Sequence, residues 1–126
     1  MINVDLCNGL TLAYMGDSVF ELEIRKRLVL GGITKSNLLH KKAILYTCAS
    51  AQASFIRYLI NENKLSDEEI SIYKRGRNSH VNLTRKNINL AEYLDATGFE
   101  ALIGYLYLKN EITRITDLVD CVYKLI

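Results

Sequence analysis

The chain contains no proline in its 126 residues, and its apolar residues recur at spacings of three and four almost from end to end. Proline is the strongest helix breaker, and three-and-four spacing lays apolar side chains along one stripe of a helix. The seven glycines fall at segment ends or inside apolar stripes, so little divides the sequence into short strands. The chain therefore reads as an all-α bundle. At this length it is expected to fold as a single domain over residues 1–126, burying roughly two-thirds of its unfolded surface without disulfide or metal staples.

Local signals place the helices. The first runs through the Asp17 segment and stops at Gly31-Gly32, where paired glycines favour a left-handed turn. A second starts near Thr34 or Ser36 and carries Leu45, Cys48, Ala49, Gln52, Phe55, Ile56 and Leu59 as one buried stripe. Ser66-Asp67-Glu68-Glu69 is a capping box that opens a third helix ending near Arg77. Gly76 to Lys86 reads as a polar loop, Asn87 onward as a helix leading into the Glu100 segment, and Thr113 as the cap of the last helix.

No apolar run approaches the ~20 residues of a membrane span, and the N-terminal MINVDLCNG lacks a basic segment followed by an apolar one. Cys7, Cys48 and Cys121 are odd in number and widely spaced, which suits buried thiols in a reducing compartment. A cytoplasmic location is expected.

Charge is segregated along the chain. Ile24 to Asn61 holds seven Lys and Arg and no acid, and Ile70 to Ala91 holds five and again none. Such stretches suit a polyanion-binding face, because Lys and Arg neutralise phosphates while interleaved acids would cancel the field. The competing reading is a solvated surface with its balancing acids nearby in space.

Two apolar segments each carry a carboxylate beside a glycine: Asp17 in LAYMGDSVFELEIR and Glu100 in ATGFEALIGYLYL. A charge in such a run is expensive unless something binds it. Asp17 after Gly16 fits an N-cap, and Thr97-Gly98-Phe99-Glu100 fits a capping box. Alternatively, Asp17 and Glu21, one turn apart on one helix face, join Glu100 in an acidic site for Mg2+, a hard ion that takes carboxylate oxygens. Spacing alone leaves both readings open. Glu21 also has a plain structural partner in Arg25, four residues on.

The wording of the segments goes further than their spacing. LAYMGDSVFELEIR resembles the signature helix of the ribonuclease III family, and FEALIGYLYL resembles that family's second acidic helix. NLLHKKA from Asn37 and YKRGRN from Tyr73 are similar to the short branch called mini-ribonuclease III, which has the nuclease domain and no double-stranded-RNA-binding domain. The resemblance spans roughly Leu10 to Thr116, with four motifs in order.

By this resemblance Asp17 and Glu100 are the catalytic, Mg2+-holding acids, and Glu21 is a candidate to support the metal or orient water. The larger enzymes carry further acids at the places of Ala13 and Thr97, a departure that the mini branch shares. The resemblance implies a homodimeric endoribonuclease that hydrolyses double-stranded RNA to 5'-phosphate and 3'-hydroxyl ends. Its implied role is maturation of the large-subunit (23S) ribosomal RNA precursor, with ribosomal proteins as candidate helpers. A-form RNA is read through phosphates, 2'-hydroxyls and shape across its minor groove. His40, Lys41, Lys42, Lys74, Arg75, Arg77, Asn78, His80, Arg85 and Lys86 are the expected RNA contacts. The loop departs from the branch in having Arg85 where proline commonly precedes Lys-Asn, so sequence preference is expected to differ. Leu12, Met15, Val19, Phe20 and Leu22 exceed what one helix face buries, which leaves apolar surface for a symmetric partner. A non-catalytic RNA-binding or ribosome-assembly module, or a helical scaffold, would keep the fold but has no need of acids facing phosphates.

Overall fold

The computed structural model describes residues 1–79 and 89–126. A short 3-10 turn, Val4–Leu6, precedes six helices: α1 (Gly9–Leu30), α2 (Ser36–Thr47), α3 (Ala49–Asn61), α4 (Asp67–Arg77), α5 (Leu90–Leu108) and α6 (Ile112–Tyr123). Among the described residues there is no strand, and no helix is long and apolar enough to cross a membrane. The all-α expectation holds.

The central helix is α5, whose residues Asp95 to Leu106 are buried except for half-buried Glu100. A helix apolar nearly all round needs neighbours on every side, and α1, α3 and α4 supply them. The closest approach is to α1. A Cβ built at Gly16 would overlap the carbonyl oxygen of Glu100, and one at Gly104 would overlap the carbonyl oxygen of Leu12. Two glycines thus let the backbones of α1 and α5 touch, which no larger residue permits. Phe20 of α1, Phe55 of α3 and Phe99 of α5 then lock three helices together edge to face, with Phe20 and Phe99 centroids 5.0 Å apart.

Helix ends follow the sequence in most places. Asn8 caps α1 by accepting from the Thr11 amide at 2.9 Å, and α1 ends where Gly32 adopts φ +102°. Ser66 and Glu69 exchange the two bonds of the capping box at 3.1 and 2.9 Å.

Two expectations are corrected. The long second helix is two: Cys48 is extended, closing α2 with its own amide on the Ile44 carbonyl and opening α3 with its carbonyl. The Gln52 side chain donates to the Thr47 carbonyl at 3.1 Å, satisfying a helix-end acceptor that a continuous helix would have bonded internally. Leu45 and Ala49 are consequently exposed, while Gln52, Phe55, Ile56 and Leu59 form the buried stripe. Thr113 is not the cap of the last helix. Asn110 turns the chain at φ 63° and the Glu111 amide bonds the Leu106 carbonyl at 2.8 Å, so α6 starts at Ile112 and Thr113 lies exposed in its first turn.

Candidate active site

Asp17 and Glu100 both lie in helix interiors, eight residues into α1 and ten into α5. Neither caps anything. Asn8 fills that place for α1, and Thr97 donates to the Tyr93 carbonyl at 3.0 Å within α5 instead of capping a helix. The two acids meet because Gly16, next to Asp17, seats against the backbone of Glu100 itself.

Their carboxyl groups face each other at hydrogen-bonding range. Burial pushes the Glu100 carboxyl up to about 8, the Asp17 charge adds to that rise, and the Gln52 amide beside it opposes the rise. A carboxylate in this position needs either a shared proton or a cation, because desolvation and like charge both disfavour ionisation. Oxygen donors from two acids are the set that a hard divalent cation takes, and such an ion would relieve the repulsion between them. The residues fit that group.

The surroundings supply few further acids. Ala13 is buried one turn before Asp17 and Thr97 one turn before Glu100, so neither neighbouring position adds a carboxylate. No group of three His, Cys, Asp or Glu gathers among the described residues. Glu21 is one turn beyond Asp17 and pairs with Arg25 at 3.0 Å. These two line a cavity of about 370 Å³ between α1 and α2, together with Leu28, Leu39 and His40. A larger cavity of about 590 Å³, lined by Glu68, Tyr105, Arg114 and Asp117, includes neither of the facing acids.

The expected RNA contacts separate into groups. His40, Lys41 and Lys42 are exposed on α2, and Lys74 and Asn78 are exposed at the end of α4. Arg75 is turned inward, donating to the carbonyls of Asp5 at 2.9 Å and Cys7 at 3.0 Å. Arg77 donates through Nε to Asp95 at 2.8 Å. His80, Arg85 and Lys86 lie outside the described residues.

Sequence reading missed two groups here. Gln52 was legible only as a member of a core stripe, although a glutamine in such a stripe is itself a signal that a polar partner is needed. Asp95 collects Tyr73 Oη at 2.6 Å and the Nε atoms of Arg57 and Arg77 at 2.8 Å each. Burial works to raise Asp95, but these three donors outweigh it and hold the carboxyl below its ordinary value.

Facing carboxylates in the interiors of two glycine-packed helices define an acidic-site helical domain, and residues 10–111 match the family described as Ribonuclease III domain. The chain belongs to the ribonuclease III family. Curated relatives include a Mini-ribonuclease 3 of Streptococcus pneumoniae, 43% identical over 98% of both chains. Another is a Mini-ribonuclease 3 of Enterococcus faecalis, 44% identical over 93% of this chain and 89% of that one. A crystal structure of a Fusobacterium nucleatum protein superposes with a TM-score of 0.81 at 32% identity, covering 93% of this chain and 92% of the other.

Proposed function

We propose that this chain is a Mg2+-dependent endoribonuclease of the mini-ribonuclease III type that hydrolyses double-stranded RNA. The observation that carries the reading is the Asp17–Glu100 pair, an exposed and a half-buried acid brought face to face where α1 and α5 touch. Asp17 and Glu100 would hold the cation. When bound, Mg2+ lowers the pKa of a water and offsets the negative charge that builds on the phosphoryl group during hydrolysis.

The chain's own residues do the rest. Gly16 and Gly104 set the separation of the two acids by fixing how closely α1 and α5 approach. Glu21 supports the site from one turn away; its pair with Arg25 is exposed on the Arg25 side, 65% for that side chain, so a duplex phosphate can compete for the guanidinium. His40, Lys41, Lys42, Lys74 and Asn78 present donors to phosphates, with His80, Arg85 and Lys86 completing the set.

Dimerisation fits the outer face of α1. Leu12, Val19 and Phe20 are buried and Met15 is half-buried, but Leu10, Tyr14 and Leu22 are exposed at 44%, 83% and 64%. They recur at multiples of four and form an apolar stripe, which suits a two-fold partner. Two such sites would cut the two strands of one duplex, leaving 5'-phosphate and 3'-hydroxyl ends. The proposed substrate is the cytoplasmic precursor of large-subunit (23S) ribosomal RNA, with ribosomal proteins assisting its presentation.

The test is incubation of duplex RNA with the purified protein, with and without Mg2+, beside Asp17→Asn. Cutting is expected only by the parent with Mg2+, and duplex binding is expected to survive in the variant. Binding without cutting under every divalent metal tried would overturn the reading in favour of an RNA-binding module.

A further inference from the structure

Gln52 sits in the first turn of α3 and is 2% exposed. Its Nε2 donates to the Thr47 carbonyl at 3.1 Å, and its Oε1 is fully buried without a hydrogen-bond partner among the described residues. Exchanging the two amide atoms does not cure this, because the Thr47 carbonyl needs the donor. A native core seldom keeps an orphaned buried acceptor unless a water, ion or ligand completes it.

The register of α3 on α5 says where that amide lies. Phe55 packs on Phe99 with centroids 6.2 Å apart, and Arg57 bonds Asp95 at 2.8 Å, so the two helices run antiparallel. Gln52, one turn before Phe55, lies beside the Glu100 carboxyl, one residue past Phe99 on α5. The amide nitrogen has a second hydrogen, free to point at that carboxyl while the first stays on Thr47. Gln52 therefore stands between the acidic pair and the α2–α3 junction. It does so in a site whose neighbouring positions, Ala13 and Thr97, bring no carboxylate.

We propose that Gln52 is a third member of the cation site, a positioning residue that holds the Glu100 carboxylate through its amide nitrogen and offers its Oε1 to a water of the site. A neutral oxygen acceptor there orients water without adding charge, and it gives the orphaned Oε1 its missing partner. The inference rests on Asp17 and Glu100 holding a divalent cation, as proposed above.

Binding of Mn2+ alone, followed by electron paramagnetic resonance of the full chain, tests it without recourse to activity. The parent is expected to bind and Asp17→Asn to lose binding. Gln52→Met, which keeps the volume and removes both polar contacts, is expected to weaken Mn2+ binding by about tenfold or more while staying folded in the absence of metal, with a melting temperature lowered because the Thr47 carbonyl loses its donor. Gln52→Glu is expected to bind at least as tightly as the parent, because it restores an acid to a site short of them. Parental affinity in a folded Gln52→Met, or weakened affinity in Gln52→Glu, overturns the inference and leaves the assignment of the acids intact. Failure of the parent to bind Mn2+, or parental affinity in Asp17→Asn, overturns both.

Discussion

Two acids on α5, five residues apart, meet opposite environments. Asp95 is 6% exposed and answered from three sides by Tyr73, Arg57 and Arg77, and it is held below its ordinary carboxylate value. Glu100 is half-buried, faces a second carboxyl, and is pushed up to about 8. Burial opposes ionisation at both; the partners decide the sign. Where the donors are complete, the acid ties α3, α4 and α5 together and nothing is left for a ligand. Where they are not, the fold stores an unfavourable pair that a cation or a proton relieves.

The contrast can be broken most severely at the Asp17–Glu100 end. Glu100→Gln is expected to lower duplex cutting by about 10³-fold or more, while the metal-free protein melts no lower than the parent because the unfavourable contact between two acids is gone. Single-turnover cleavage and thermal melts on the same preparation read both effects; a variant that cuts normally would place the chemistry elsewhere.

At the other end, Asp95→Asn leaves Arg57 and Arg77 facing an amide and is expected to cost about 2 kcal/mol of stability. Denaturant unfolding measures that loss, and cleavage per folded molecule should stay close to the parent's. A stability change within error would mean that the three bonds to Asp95 contribute little net energy.

Acid titration sharpens the comparison because the two groups act on opposite flanks. Glu100 rises from an ordinary value of 4.5 to about 8 in the fold. Its contribution is therefore fully present below the unfolded value and is lost as pH climbs through the folded one, from about pH 5 to about pH 8. Asp95 is lowered, so its contribution is present above its ordinary value of 3.8 and is lost as pH falls through the lower folded value. Melting curves in chelator should show a decline toward alkaline pH that Glu100→Gln flattens and an acid-side loss that Asp95→Asn flattens. The smallest effect belongs to Glu21→Gln, which breaks an exposed pair and is expected to change stability by about 0.5 kcal/mol or less; its cleavage rate reports how far Glu21 supports the reaction.

The sequence made the helical class, the capping box at Ser66 and the end of α1 at Gly31-Gly32 legible because each rests on local chemistry. It also singled out Asp17 and Glu100, but spacing could not choose between caps and ligands. That choice depends on Gly16 and Gly104 meeting across two helices distant in sequence, a tertiary fact. The break at Cys48 escaped for a related reason: the three-and-four pattern continues through it, and only the Gln52 side chain on the Thr47 carbonyl rewards the turn. Arg75 and Arg77 read as a basic patch, yet their partners Asp5, Cys7 and Asp95 lie far away in the chain. Charge runs report composition along the chain, whereas which cations remain free is decided by packing.

The most direct measurement is the melting temperature of the parent, Asp17→Asn, Glu100→Gln and Asp95→Asn in chelator and in Mg2+. A cation that binds the folded state alone stabilises it in proportion to its affinity and concentration. Mg2+ is expected to raise the melting temperature of the parent and of Asp95→Asn, and to leave Asp17→Asn and Glu100→Gln unmoved. An equal rise in Glu100→Gln, or none in the parent, would contradict the assignment of the facing acids as the cation site.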